Sequence, residues 1–319
     1  MHDTLKRLKL LGIVPVVKLD NADDALPLAD ALIRGGLPCA EITFRTDAAE
    51  EAIRRVVAAR PDMLVGAGTI ITVEQAKRAI DAGSAFIVSP GFNPKVVQYC
   101  IDQGVPVTPG CINPTDIGLA VEMGLDVVKF FPAEQSGGLA AIKALAGVFG
   151  KVAFMPTGGI SAKNLVEYLA FDKIIACGGS WMVKPELIAA GDFAAIETLT
   201  REAVQTMLGF HLHHVGINND DAGEAARVAT GLCRLFGFTA KEGNSSIFAG
   251  PVEVMKSPFL GKHGHIAIGT NSMERAVSYL ESQGFAFASE TAKRDEKGNL
   301  IAIYLKEELG GFALHLVRK

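Results

Sequence analysis

Eight short apolar runs, each followed by a polar or amphipathic stretch, recur between Gly12 and about Leu208. The runs are Ile13–Lys18, Cys39–Arg45, Met63–Thr69, Ala85–Pro90, Pro106–Gly110, Val127–Pro132, Val152–Thr157 and Lys173–Cys177. Between them the spacing predicts helices over Asp23–Gly35, Ala48–Arg60, Thr72–Ala82, Pro94–Gln103 and Thr115–Met123. Several of these stretches stop at glycine, a residue that ends helices by adopting left-handed backbone angles. Eight strand–helix repeats predict an α/β fold, a (β/α)8 TIM barrel, compact beside the roughly 250 residues usual for it. An open, doubly wound sheet is the alternative; glycine at the end of nearly every strand favours closure.

In such a barrel the chemistry sits at the C-terminal strand ends. Lys129 lies in the run Val127-Val128-Lys129-Phe130-Phe131-Pro132, where alternation puts it on one face with Val127 and Phe131. An amine among such neighbours loses hydration, which disfavours its charged form and suits it to attack a carbonyl. A lysine snorkelling to water is the plainer reading. The same alternation puts Glu41, Thr43 and Arg45 on the inner face of the second strand, costly unless they pair or bind something. Thr157-Gly158-Gly159-Ile160-Ser161 and Cys177-Gly178-Gly179-Ser180 end the last two strands. Glycine lets backbone N–H groups approach an anion, and a following helix N-terminus adds positive charge, so these loops predict a phosphorylated or otherwise anionic substrate. Lys18, followed by Leu19-Asp20-Asn21, is expected to reach water and a carboxylate and to steer anions.

Bulk properties narrow the classes. The 319 residues suit two domains, and a net charge of −4 without a basic block argues against nucleic acid. No apolar run reaches the roughly 18–20 residues of a membrane span. Five cysteines without C-x-x-C spacing make a disulfide framework or a cysteine zinc site unexpected, which points to a cytoplasmic protein with reduced thiols.

Several motifs in order, Glu41-Ile-Thr-Phe-Arg45-Thr46, Gly66-Ala-Gly-Thr69, Ser89-Pro-Gly91, Pro109-Gly110, Lys129-Phe-Phe-Pro-Ala-Glu134, Pro156-Thr-Gly-Gly-Ile-Ser161 and Gly178-Gly-Ser-Trp181, resemble the 2-keto-3-deoxy-6-phosphogluconate / 4-hydroxy-2-oxoglutarate aldolase family. The resemblance implies a class I aldolase on a (β/α)8 barrel, assembled as a homotrimer, with no metal or other cofactor. It implies that Lys129 forms a Schiff base with the 2-oxo carbon and that Glu41 is the general acid/base. Arg45 and Thr69 would hold the pyruvyl carboxylate region, Thr157 the pyruvyl part, and Pro90 and Phe131 the pocket wall. Gly158, Gly159 and Ser180 would take the distal phosphate, with Lys18 at a position that is basic in the family. Trp181 is expected to pack beneath the phosphate loop.

A boundary is expected at 208/209, where the pattern changes. His214-Val-Gly-Ile217, a helix candidate and Phe236-Gly-Phe238 recur as His265-Ile-Ala-Ile268, a second helix candidate and Gly284-Phe285. Strand-like segments follow in each half, ending in Val252-Glu253-Val254 and Leu314-His315-Leu316. This repeat resembles the paired βαβββ modules of the vicinal oxygen chelate (glyoxalase-like) superfamily. Its metal ligands come from the first and last strands of each module, which implies His214, Glu253, His265 and His315. Many glyoxalase-like members carry glutamate where His315 stands, so a working site for Fe²⁺, Ni²⁺ or Zn²⁺ and a retired one both stay open. His211 and His213 read as surface residues, and Lys293–Asn299 as a solvated hairpin turn.

These readings leave three functions: an aldolase with an accessory domain, a metal-dependent oxygen-chelate enzyme supplied by the barrel, and a catalytically silent sugar-phosphate sensor. For the first, the sequence leaves open which of the two aldol substrates is preferred and whether the tail alters the trimer.

Overall fold

Side-chain caps mark the starts of the helices that begin at Val73, Pro94 and Pro114. Thr72 accepts from the Gln75 N–H while the Gln75 side chain accepts from the Thr72 N–H, a reciprocal box. Asn93 and Asn113 cap helices whose first residues are Pro94 and Pro114, where a missing N–H costs nothing. The computed structural model describes residues 1–319 and divides them into two units, Met1–Met207 and Leu208–Lys319. No helix is long and apolar enough to cross a membrane.

The first unit opens with α1 (Asp3–Leu11), β1 (Ile13–Val17), α2 (Ala25–Arg34), β2 (Cys39–Thr43), α3 (Ala49–Ala59) and β3 (Leu64–Gly68). It continues with α4 (Val73–Asp81), β4 (Ile87–Val88), α5 (Pro94–Asp102), β5 (Val107–Thr108), α6 (Pro114–Glu122) and β6 (Val127–Phe130). The last elements are α7 (Gly138–Val148), β7 (Ala153–Pro156), α8 (Leu165–Leu169), β8 (Cys177–Gly179), α9 (Pro185–Ala189) and α10 (Phe193–Leu208).

Six strands form a continuous parallel sheet in the order β5-β4-β3-β2-β1-β8, and β6 pairs in parallel with β7. Bridges join the two pieces at both edges. Lys129 N–H donates to Pro109 O at 2.9 Å and Lys129 O accepts from Cys111 N–H at 2.8 Å. On the other side Thr157 bridges Gly178 and Phe154 bridges Ile174. All eight strands are thus linked in a ring. Leu5 and Leu8 of α1 pack into the cluster that holds Val14, Cys39, Leu64, Val127 and Met155.

The eighth strand departs from expectation. The apolar run Lys173–Cys177 contributes only the Ile174 bridge and Cys177, and the strand itself is Cys177–Gly179, paired with Ile13, Val14 and Pro15. The glycines expected in a phosphate loop therefore form the strand. A Cβ on Gly178 would fall 2.3 Å from Thr157 Oγ1, and one on Gly179 1.9 Å from the Trp181 ring, so larger residues would collide.

The second unit contains β9 (His211–Ile217), α11 (Ala222–Phe236), β10 (Ala240–Glu242), β11 (Ser246–Ala249) and β12 (Val252–Met255). A second set follows: β13 (Gly264–Thr270), α12 (Met273–Ser282), β14 (Phe287–Arg294), β15 (Leu300–Leu309) and β16 (Phe312–Arg318). One eight-stranded sheet results, ordered β10-β11-β12-β9-β13-β16-β15-β14. Each half runs strand, helix, three strands; the last strand lies parallel to the first, and β9 meets β13 antiparallel. Ala225 and Ala229 of α11 pack on Ile247, Ala249 and Val254, so one face of this sheet is apolar core. Alternation sends Phe248, Glu253 and His265 to the other face.

Candidate active site

Three layers of side chains occupy the inner face of the ring, two residues apart along each strand. Cys39, Val127 and Met155 belong to the apolar cluster. Two positions on come Glu41, Lys129 and Thr157, all buried. Two further on come Thr43, Phe131 and Gly159, which line a cavity of about 230 Å³. Gly158 and Ser180 also line it, with Lys18 and Arg45 at exposed positions. Lys129 and Glu41 are not part of that lining; they belong to the closed layer next to it.

Lys129 Nζ donates to Glu41 Oε1 at 3.3 Å, and the two residues are only 5% and 1% exposed. The amine also lies 5.2 Å from the centre of the Phe131 ring. Glu41 Oε2 and Thr157 Oγ1 have no hydrogen-bond partner. Buried polar atoms ordinarily find one, so these two oxygens mark where a polar ligand would be held. The strand register supplies the space: Thr43 pairs with Gly68, and Gly68 has no side chain where the Glu41 carboxylate lies.

The remaining expected residues divide. Thr43 donates to Val17 O at 2.9 Å and is satisfied within the ring. Arg45 was expected on the inner face of β2; the bond from Phe44 N–H to Gly68 O is the last rung of the β2–β3 ladder, and the strand ends at Thr43. Arg45 therefore stands at the rim, its Nε donating to Thr69 Oγ1 at 3.3 Å. Thr69 has φ 59°, a left-handed conformation seldom adopted by β-branched residues and a recurrent sign of a functional constraint. Thr69 and Pro90 do not line the cavity; Pro90 O packs against Gly110, where a Cβ would approach to 2.0 Å. Lys18 pairs with Asp20 at 2.8 Å.

In the turn after β7, Gly158 and Gly159 have φ of 98° and 79°. The helices that follow β7 and β8 have only five residues each, so the expected helix dipole has little length behind it. Sequence reasoning left out Tyr168, whose hydroxyl donates to Glu134, and Asn164, whose Nδ2 donates to Gly159 O at 3.1 Å. Tyr168 reads as an ordinary amphipathic helix position, so no signal marked it.

A second polar cluster lies in the other unit. His214 Nε2, His265 Nε2 and Glu253 Oε2 form a triangle with every side 3.1 Å. The three imidazoles of His214, His265 and His315 bring ring nitrogens within 4.8 Å of one another. Neither nitrogen of His315 has a partner, nor does His265 Nδ1. Burial, reinforced by His265 and His214, pushes His315 down to about 3, so it is a neutral donor at pH 7. Burial alone would raise the Glu253 carboxyl, but hydrogen bonds from His214, His265 and Ser246 outweigh it and hold the group below the usual carboxylate range. Ser246 donates to Glu253 Oε1 at 2.6 Å, and Tyr304 stacks on His315 with centroids 4.4 Å apart. Gly216 is needed here: a Cβ would fall 2.1 Å from the His265 ring. His213, expected only as a surface residue, is exposed but places Nδ1 2.8 Å from His214 Nδ1.

Comparison with known proteins bears on the first unit. The family described as KDPG and KHG aldolase matches residues 4–199. A 2-dehydro-3-deoxy-phosphogluconate aldolase of Haemophilus influenzae is 52% identical over 200 residues, covering 63% of this chain and 94% of its own. The Legionella pneumophila KDPG aldolase, solved with pyruvate captured as a covalent carbinolamine, matches with a TM-score of 0.61 at 36% identity. That match covers 62% of this chain and 97% of the other. The aldolase of Zymomonas mobilis ZM4, solved with 3-phosphoglycerate, gives 0.58 at 39% identity, covering 62% and 94%.

Proposed function

Because this chain belongs to the KDPG and KHG aldolase family, we infer that it is a class I aldolase. It cleaves 2-keto-3-deoxy-6-phosphogluconate to pyruvate and D-glyceraldehyde 3-phosphate, or 4-hydroxy-2-oxoglutarate to pyruvate and glyoxylate. The observation that carries the assignment of roles is the buried Lys129–Glu41 pair at 3.3 Å with one carboxylate oxygen free. The ring is read as a (β/α)8 barrel of residues 1–208.

The reaction follows from those groups. The Lys129 amine adds its lone pair to the 2-oxo carbon; the Glu41 carboxyl then gives its proton to the carbinolamine hydroxyl, which leaves as water, forming a protonated imine and an ionised Glu41. Glu41 then removes the proton of the C4 hydroxyl. The C3–C4 bond breaks, its electrons neutralise the imine as an enamine, and the aldehyde departs. Glu41 returns the proton to C3, and water releases pyruvate from Lys129. Proton transfer by a positioned carboxylate is typically worth about 10²–10⁴-fold. Thr157, whose Oγ1 has no partner, binds the pyruvyl part in this reading, and Arg45 with Thr69 the carboxylate region. Phe131 and Pro90 shape the wall, and Gly158, Gly159 and Ser180 receive the phosphate while Lys18 steers it. Steady-state cleavage of each substrate with pyruvate detection tests this reading. Release of pyruvate from neither would refute it, and the ratio of kcat/KM values would rank the two.

Residues 209–319 are read as paired βαβββ modules of the vicinal oxygen chelate kind. The orphaned nitrogens of His315 and the Gly216 cradle under His265 fit an ion held by His214, Glu253, His265 and His315. Three imidazoles and a carboxylate suit Fe²⁺, Ni²⁺ or Zn²⁺, which would supply Lewis acidity there. The family resemblance further proposes a homotrimer in the cytoplasm, which sedimentation velocity of the full chain would test.

A further inference from the structure

The carbonyl groups of the phosphate turn are all engaged away from the cavity. Thr157 O accepts from Ala133 N–H at 2.8 Å, Gly158 O from Glu134 N–H at 3.1 Å, and Gly159 O from Asn164 Nδ2 at 3.1 Å. That arrangement leaves the N–H side of the turn for an anion. Two of the three bonds come from Ala133 and Glu134, which follow Lys129 by four and five residues. The strand that carries the nucleophile thus also fixes the turn that would hold the phosphate.

We propose that Glu134 and Tyr168 are positioning residues that set selectivity for the phosphorylated substrate, a role that rests on the aldolase reading above. Glu134 lies against Gly159 so closely that an added Cβ would fall 2.3 Å from its Cγ. Tyr168, 2% exposed, donates its hydroxyl to the Glu134 carboxylate. The hydroxyl also lies 3.1 Å from where a Cβ on Gly138 would be, at the start of α7. The bond has two consequences. It holds the Glu134 backbone N–H on Gly158 O and so keeps both glycines at positive φ, with their N–H groups presented together. It also keeps a negative charge off the cavity, which Glu134 does not line, and a carboxylate free to swing there would repel a phosphate dianion. An unphosphorylated substrate does not need this end of the site.

The test is steady-state kinetics of the full chain on both aldol substrates. Tyr168→Phe removes one oxygen and leaves the ring packed. It should raise KM for 2-keto-3-deoxy-6-phosphogluconate by about tenfold, the size expected on losing a hydrogen bond to a charged group. The kcat for that substrate should stay within about twofold, and KM for 4-hydroxy-2-oxoglutarate should not move. Glu134→Ala should reproduce the split, whereas Glu134→Gln, which keeps an acceptor for the hydroxyl, should restore most of the lost affinity. An equal rise in KM for both substrates, or a fall in kcat alone, would overturn the proposal. If Tyr168→Phe folds poorly, the contrast between Glu134→Ala and Glu134→Gln decides. A wild type that traps pyruvate on Lys129 while neither variant changes the substrate ratio would reject the clamp and leave the aldolase standing.

Discussion

A methyl group on Gly68 would fall 2.1 Å from Glu41 Oε1, so a missing side chain on β3 determines where the Glu41 carboxylate of β2 can lie. Gly68 has an ordinary backbone conformation, and its obstacle is the end of a side chain rather than main chain. Gly68→Ala should therefore spare the fold and displace the carboxylate from Lys129. We expect turnover to fall by up to the about 10²–10⁴-fold that a positioned proton-transfer group contributes, with the melting temperature nearly kept. Turnover at the wild-type rate, with the carboxylate unmoved, would contradict the packing described.

Glu41→Gln separates imine formation from carbon–carbon cleavage. The amide keeps the shape and can still hydrogen-bond to Lys129, but it cannot carry a proton between oxygen and carbon. Cleavage should drop by about 10²–10⁴-fold while intact-protein mass spectrometry after reduction with pyruvate still finds some adduct. Loss of the adduct with cleavage retained would reverse the assigned roles.

The histidine cluster of the second unit should bind one first-row divalent ion per chain in untagged protein. His265→Ala should weaken binding by at least about tenfold. Ser246→Ala, which frees Glu253 Oε1, should weaken it by about 10–100-fold, as removal of an outer partner of a ligand does elsewhere. Calorimetric titration with Zn²⁺ reads both values. Absence of a stoichiometric ion from the wild type would mark the cluster as a retired site.

Thiol chemistry reports on the barrel interior. Burial pushes Cys100 and Cys111 up to about 12, and Cys39 higher still, so their thiolates are scarce at any ordinary pH. Cys233 is the only one of the five that is not fully buried. A chromogenic disulfide reagent should label only Cys233 in the native chain, even when the pH is raised from 7 to 9. All five should react once the chain is unfolded. Rapid native labelling of Cys39 would show that the ring opens.

Alternation along strands made most of the barrel site legible. Glu41 and Lys129 both follow a buried apolar residue by two positions, which puts each on the inner face of its strand; strand register then brings them into one layer. Arg45 lies just past the last rung of β2, the bond from Phe44 N–H to Gly68 O, and lines the same cavity as Thr43 from an exposed position. Alternation misplaced the eighth strand: Gly178 is hemmed in by Thr157 of the neighbouring strand, and Gly179 by the ring of Trp181 two residues on. In the second unit the superfamily resemblance implied His214, Glu253, His265 and His315, and the structure brings these side chains together. The resemblance could not reveal Ser246 under Glu253 or Tyr304 on His315, which meet only through strand pairing. Tyr168 was invisible for the same reason: its partner Glu134 lies 34 residues away.

If Lys129 is the nucleophile, its imine with pyruvate can be trapped by reduction. Incubation with pyruvate and sodium borohydride, followed by peptide mapping, should place one reduced pyruvyl group per chain on Lys129, with none formed by Lys129→Met. An unmodified wild-type chain, or an adduct on Lys18 in its place, would contradict it.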